Sequence, residues 1–133
     1  MHMALKARRW TRADLDRMPE DGNMYEVVRG ELFVTPPPGV PHEMVVERLV
    51  RCIAPYVWRH EIGHLQLPHA VMIFDGSQVE PDLIVRPPIG QIDQWERMPV
   101  PLLVVEVQSD STARRNRVAK RSLYLDAGVA EYW

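Results

Sequence analysis

The spacing between apolar residues changes along the chain, and these changes predict where its helices and strands lie. The segment 24–34 is rich in β-branched and aromatic residues and is interrupted at Arg29 and Gly30. This pattern predicts a β-hairpin, because glycine reaches the positive φ of a tight turn at little cost. Thr11, followed by Asp14 three positions later, predicts the start of a short preceding helix.

From residue 42 onward, the apolar residues follow a helical spacing. A stiff, proline-rich connector at 36–39 precedes this segment. We expect an amphipathic helix to follow, ending or kinking at Pro55. Its apolar residues recur at spacings of three and four: Val45, Val46, Leu49, Val50, Ile53 and Val57.

The next segments indicate three strands. We expect one strand over 65–74 with an irregularity at Pro68, and a second over 79–85 with Pro81 near its start. The nearly continuous apolar run 102–107 predicts a strand that is buried on both faces. The intervening loop exceeds a dozen residues, a length typical of functional or mobile segments.

A last helix is predicted over 113–127, after the capping-rich segment 109–112 and before Gly128, which suits the C′ position. Residues 131–133 begin an extended segment. Strands flanked by helices indicate an α/β protein with a central mixed β-sheet covered on both faces.

Composition places the chain among single-domain proteins. We expect the 133 residues to form one domain, and 46 % apolar with 26 % charged residues is ordinary for a soluble globular protein. We see no signal peptide and no apolar run long enough to cross a bilayer, so we expect a cytoplasmic protein. The single cysteine, Cys52, agrees with a reducing compartment and is expected to be buried and inert.

The distribution of charge is more informative than the net charge of -2. Basic residues cluster without acids over 114–121, and a second basic run covers 6–12. Each run is either a solvated face or a surface for phosphate contact.

Carboxylates within apolar strands are the strongest chemical signal. Asp82 lies in one predicted strand, and Glu106 follows the most apolar one. A buried carboxylate is retained only with a partner, commonly a cation or a metal ion. If the two strands are neighbours, Asp82, Glu106 and Gln108 meet at one end of the sheet, where two carboxylates can hold Mg²⁺. The alternative is a structural ion pair.

The last helix contributes a second set of polar residues. Asn116, Lys120 and Tyr124 are spaced by four positions and share one helix face. Lys120 then points to the carboxylates, where it would stabilise developing charge or orient water. The alternative is one more exposed cation.

These residues resemble the signature of the PD-(D/E)xK nucleases, which have the restriction-endonuclease-like fold. The chain is similar to the Uma-type (Uma-two) family of endonucleases within that superfamily. The matching segments run in the expected order from Tyr25 to Trp133: Tyr25-Glu26, Gly30-Glu31-Leu32, the prolines before His42, Pro81-Asp82-Leu83, Val104-Val105-Glu106-Val107, Ser109, Ser111-Thr112, Lys120, Tyr124, Gly128-Val129 and Glu131-Tyr132-Trp133.

The resemblance implies a metal-dependent endonuclease that hydrolyses DNA phosphodiester bonds. It implies Mg²⁺ or Mn²⁺ bound by Asp82 and Glu106, with Gln108 and Lys120 completing the catalytic set. Gln108 stands where the superfamily usually has its lysine, and Lys120 from the next helix fits that role. The alternative is a catalytically inactive, nuclease-like module that binds nucleic acid or self-associates.

Four further residues are candidate substrate contacts: Glu31, His42, Arg117 and Tyr124. The chain stops at Trp133, whereas the resemblance leads us to expect further strands, so the C-terminal strands look truncated. An exposed sheet edge there predicts a homodimer.

Overall fold

A computed structural model describes residues 8–108 and 113–133, with side chains described from residue 116 in the second range. It confirms the α/β fold class. The helices are α1 Arg12–Leu15, α2 Val40–Arg59 and α3 Ala113–Ala127, with a 3₁₀ turn at Trp95–Arg97. The strands are β1 Met24–Val28, β2 Glu31–Thr35, β3 His64–Gln66, β4 Met72–Phe74, β5 Ser77–Val79, β6 Leu83–Arg86, β7 Leu103–Val105 and β8 Glu131–Tyr132.

The first sheet is antiparallel, with strand order β2-β1-β5-β4. The predicted hairpin is confirmed: β1 and β2 are joined at Arg29 and Gly30, which have φ values of 47° and 84°. A second hairpin joins β4 and β5 through Asp75 and Gly76, both also at positive φ. Two positive φ values in a two-residue turn match the twist of the paired strands.

The second sheet has strand order β3-β6-β7-β8, in which only β7 and β8 run parallel. Successive residues of β6 and β7 point to opposite faces. Leu83 and Val105 are paired and pack with Val46 of α2. Ile84 and Val104 form the next pair and pack on the other side, in a larger core with α3. The two central strands are therefore buried on both faces.

Two expected strands are each divided between the two sheets. One strand is expected over 79–85. In the structure, β5 ends at Val79 and β6 begins at Leu83, and the residues between them cross from the first sheet to the second. Pro81 supplies no N–H for a strand ladder, which favours a break there. The segment expected over 65–74 likewise separates into β3 and β4.

Helix α2 differs from expectation at both ends. It begins at Val40, and Pro41 lies in its first turn, where no N–H is needed for intrahelical bonding. Of the two effects expected of Pro55, a kink or an end of the helix, the end is wrong, since α2 continues to Arg59. Pro55 is exposed, while Ala54 and Val57 beside it are buried, so packing holds the last turn in place.

Other expectations have mixed outcomes. Helix α3 has the predicted bounds and ends before Gly128 at φ 87°, whereas the capping segment 109–112 lies outside the described residues. The short helix after Thr11 is confirmed, and the Thr11 N–H donates to Asp14 at 2.8 Å.

Cys52 is exposed and not buried, because the apolar stripe of α2 faces away from it. Within the described ranges, no helix has the length and hydropathy needed to span a membrane.

Candidate active site

The two candidate metal ligands are brought together where β6 begins and β7 ends. Leu83 pairs with Val105 in antiparallel register, so the preceding Asp82 stands opposite the following Glu106. The backbone N–H of Val107 donates to Oδ2 of Asp82 at 2.6 Å, which fixes that carboxylate against the β7 end. The neighbouring strands predicted from sequence thus place both carboxylates at one sheet end.

Glu106 accepts two hydrogen bonds from α3. Nζ of Lys120 lies 3.1 Å from Oε1 of Glu106, and the Tyr124 hydroxyl donates to the same oxygen at 2.7 Å. Lys120 and Tyr124 are one helical turn apart, as their spacing of four predicted. Lys120 is 6 % exposed, so the alternative of a solvated surface cation is wrong.

Glu26 is a member of this cluster that the sequence analysis did not select. It lies on β1, is 1 % exposed, and its Oε1 is 2.7 Å from Nζ of Lys120. Its Oε2 accepts the backbone N–H of Glu80 at 2.8 Å. The signal was available, because Glu26 is an acid between apolar strand residues, the criterion that selected Asp82 and Glu106.

Burial and charge set the electrostatics of the cluster. Burial raises the pKa of Glu106 to about 7, with Glu26 and Asp82 adding to the rise and Lys120 and Tyr124 opposing it. Burial opposes the charge of Lys120, but the carboxylates of Glu106 and Glu26 outweigh it and raise the lysine pKa above its usual value. Burial and the adjacent Glu106 also raise the pKa of Tyr124. Lys120 therefore stays protonated between the two acids.

His42, from the first turn of α2, contacts the other carboxylate. Its Nε2 is 3.1 Å from Oδ1 of Asp82, and its Nδ1 is 3.3 Å from Oε1 of Glu43. Asp82 is thus held at Oδ2 by a backbone N–H and at Oδ1 by the imidazole.

A pocket of about 430 Å³ opens onto these groups. Asp82, Glu106, Lys120, Gln108 and His42 all line it. The pocket lies where the first sheet, the second sheet, α2 and α3 meet, so no single element forms it.

Three predicted site residues do not line the pocket. Glu31, at the start of β2, and Arg117, on the exposed face of α3, do not line the pocket. Tyr124 is 1 % exposed and reaches the site only through Glu106. The structure therefore brings His42 to the carboxylates and leaves Glu31 and Arg117 outside.

Comparison with known proteins identifies the family of the chain and a solved structure of similar fold. The model of the Uma2 family, described as "Putative restriction endonuclease", matches residues 12–133. A crystal structure described as "a putative nuclease belonging to DUF820", from Anabaena variabilis ATCC 29413, is similar in fold. Its TM-score is 0.71 at 19 % identity, covering 93 % of this chain and 72 % of that one. No curated protein sequence gives a significant match. Since the family model spans nearly the whole sequence, the chain belongs to the nuclease-like Uma2 family.

Proposed function

We propose that this chain is a metal-dependent endonuclease that hydrolyses DNA phosphodiester bonds. Asp82 and Glu106 would be the protein ligands of Mg²⁺ or Mn²⁺, and Lys120 would assist. The observation that carries the proposal is the convergence of both carboxylates and the lysine ammonium on one pocket. Membership of a nuclease-like family supports the reaction class.

The donor set fits a hard divalent cation. Mg²⁺ takes oxygen ligands and is usually held by one or two carboxylates together with several waters. In the part of the chain that the structure describes, no group of three or more His, Cys, Asp or Glu side chains is arranged to hold a metal. Asp82 and Glu106 would thus supply the protein ligands, and water and substrate the rest. Such an ion activates water and neutralises phosphodiester charge.

The surrounding residues hold the two carboxylates in place. Lys120 and Tyr124 fix Oε1 of Glu106, while Glu26 holds the ammonium of Lys120 from the other side. Asp82 is fixed by the Val107 N–H. Catalytic groups held by such contacts need little rearrangement when substrate binds.

His42, which lines the pocket, and Arg117 are kept as candidates for substrate contact, and Gln108, expected in the catalytic set, is added to them. Gln108 is exposed and lines the pocket, so its amide is available to a phosphate oxygen or a water molecule. Arg117 is exposed on α3 outside the pocket, where a contact with the DNA backbone would be electrostatic. Glu31 does not line the pocket and is not proposed as a contact.

A non-catalytic module is the second candidate. Lys120 is shared by two buried carboxylates, and the Glu106 side chain is only 8 % exposed. A buried ion network of this kind also occurs as a purely structural feature. In that case the chain would bind nucleic acid or self-associate without cleaving it.

Self-association is part of the proposal as well. Strand β8 lies at an edge of the second sheet, and exposed edges pair readily with other strands. We therefore propose a homodimer, tested by light scattering of the purified protein. A monomeric mass over the working concentration range would contradict it.

The function is tested by nicking of supercoiled plasmid DNA in Mg²⁺ or Mn²⁺. We expect nicking by the wild-type chain that EDTA prevents and that Asp82→Asn abolishes. Asp75→Asn is the matched control, because Asp75 lies in the β4–β5 turn at positive φ, which asparagine tolerates. A folded wild-type chain that binds the plasmid but never cuts it would favour the non-catalytic module.

A further inference from the structure

The pocket has an apolar lining that the metal chemistry does not require. Pro36, Pro37 and Pro38, from the connector between β2 and α2, line it together with Pro68 and Pro81. Proline rings have fixed backbone φ and present rigid apolar faces. Ordering such a surface around a planar ligand costs little conformational entropy.

Uncharged polar side chains line the same pocket. These are Asn23, Thr35, Gln108 and Asn116, from the first hairpin, the β7 end and α3. Each amide both donates and accepts hydrogen bonds, and the hydroxyl does the same. This combination suits the mixed donor and acceptor edge of a nucleobase.

The charge of the lining argues against a run of phosphates. Among the described residues, four acids line the pocket: Glu43, Glu80, Asp82 and Glu106. Lys120 is the only lysine or arginine among the described residues that do so. Binding along a nucleic-acid backbone depends on several lysines or arginines. A phosphate would therefore be tolerated only at the metal-binding end, with uncharged groups filling the remainder.

The volume sets the size of the occupant. About 430 Å³ lies toward the lower end of small-ligand pockets, which run from roughly 300 to 1,000 Å³. A stacked base pair with both of its strands does not fit in such a space, whereas a single nucleotide does. Enzymes that act on an enclosed nucleotide use single strands or draw the nucleotide out of the stack.

We propose that the pocket holds one unpaired nucleoside beside the scissile phosphate, so that single-stranded DNA is preferred over duplex. The inference rests on the proposed function and specifies its substrate class. The prolines would pack against the sugar and base, and the amides would meet the base edge. The phosphate on one side of that nucleoside would lie at Asp82 and Glu106.

Binding of matched strands tests the inference. A short labelled strand and its perfect duplex are titrated with the wild-type protein in Ca²⁺, and fluorescence anisotropy gives both affinities. We expect the single strand to bind at least about tenfold more tightly, because a duplex must first unpair and unstack a nucleotide before it can enter the pocket. Equal affinity, tighter duplex binding, or no binding of either strand would overturn the inference.

Cleavage of the same strands in Mn²⁺ separates this inference from the proposed function. Tighter binding of the single strand without cleavage of any strand would contradict the endonuclease and leave the nucleoside pocket standing. If the duplex is cleaved and binds as tightly as the single strand, the result would support the endonuclease and contradict the nucleoside pocket.

A pocket variant locates the binding. Asn116→Leu removes an amide and fills part of the pocket, and leucine is the better helix former. We expect single-strand affinity to fall by roughly tenfold, the upper range for the loss of one hydrogen bond, while Mn²⁺ binding, measured by calorimetry, is unchanged. Val118→Leu, on the same helix but exposed and outside the pocket, is the matched control. Unchanged single-strand affinity in a folded Asn116→Leu would contradict the proposed location.

Discussion

Among the residues that the structure describes, Lys120 and Arg86 are buried cations in contrasting surroundings. Lys120 lies between the carboxylates of Glu26 and Glu106. Arg86, on β6, is 1 % exposed and donates to uncharged oxygens only: the Pro99 carbonyl at 3.0 Å, the Val71 carbonyl at 2.9 Å and the Gln66 side chain. Burial lowers the pKa of Arg86 to about 10, whereas the two acids raise that of Lys120.

The difference separates a structural cation from a functional candidate. Arg86 ties β3, the segment before β4 and the loop before β7 to its own strand, and it does not line the pocket. Lys120 lines the pocket, and the cluster around it contains more acids than cations. Burial alone therefore does not distinguish the two cations, and the excess of carboxylates around Lys120 makes it the candidate for a functional role.

Removal of the functional cation should have the largest effect on stability. Lys120→Met leaves two buried carboxylates facing each other, and we expect the free energy of unfolding to fall by about 3–5 kcal/mol. Saturating Mn²⁺ should recover part of this loss, because the ion replaces the missing positive charge. Urea unfolding with and without Mn²⁺ measures both effects. A loss that Mn²⁺ does not reduce would contradict a cation site at Glu106.

Removal of the structural cation should cost less and respond differently. Arg86→Met leaves buried acceptors unpaired without leaving an excess charge, so we expect a loss of about 2–4 kcal/mol. This loss should be the same with and without Mn²⁺, because Arg86 lies outside the pocket. The comparison between the two cations fails if Mn²⁺ restores both variants equally.

An exposed ion pair gives the smallest expected effect. Arg29, in the first hairpin turn, pairs with Asp126 of α3, and both side chains are substantially exposed. Asp126→Asn should lower stability by only about 0–1 kcal/mol, since solvent screens the pair. A loss as large as that of Arg86→Met would mean that exposure is a poor guide to these energies.

Elements with strong local signals were predictable from the sequence. The bounds of α3 follow from its periodicity and from Gly128, and the first hairpin follows from Arg29-Gly30. The division at Glu80–Asp82 was not predictable, because apolar residues continue on both sides of the crossing. Which sheet each half joins depends on long-range pairing that periodicity does not encode.

The part of the site formed by strand ends and one helix face was predictable from the sequence. Asp82, Glu106 and Lys120 were selected because acids interrupt apolar strands and because a helix repeats every 3.6 residues. Glu26 met the same criterion as an acid within an apolar strand, but its contact with Lys120 was not predictable, because only the packing of the two sheets on α3 brings the two residues together. Glu31 lies in the same hairpin as Glu26, at the start of β2, and does not line the pocket.

The most direct test of the account is whether Asp82 and Glu106 bind one and the same divalent ion. Calorimetric titration with Mn²⁺ is carried out on the wild-type chain, Asp82→Asn, Glu106→Gln and the double variant, with Asp75→Asn as control. We predict binding in the wild-type and control chains, loss of binding in either single variant, and no further change in the double variant. Wild-type affinity in a folded Asp82→Asn or Glu106→Gln, or no binding by the wild-type chain, would contradict the account.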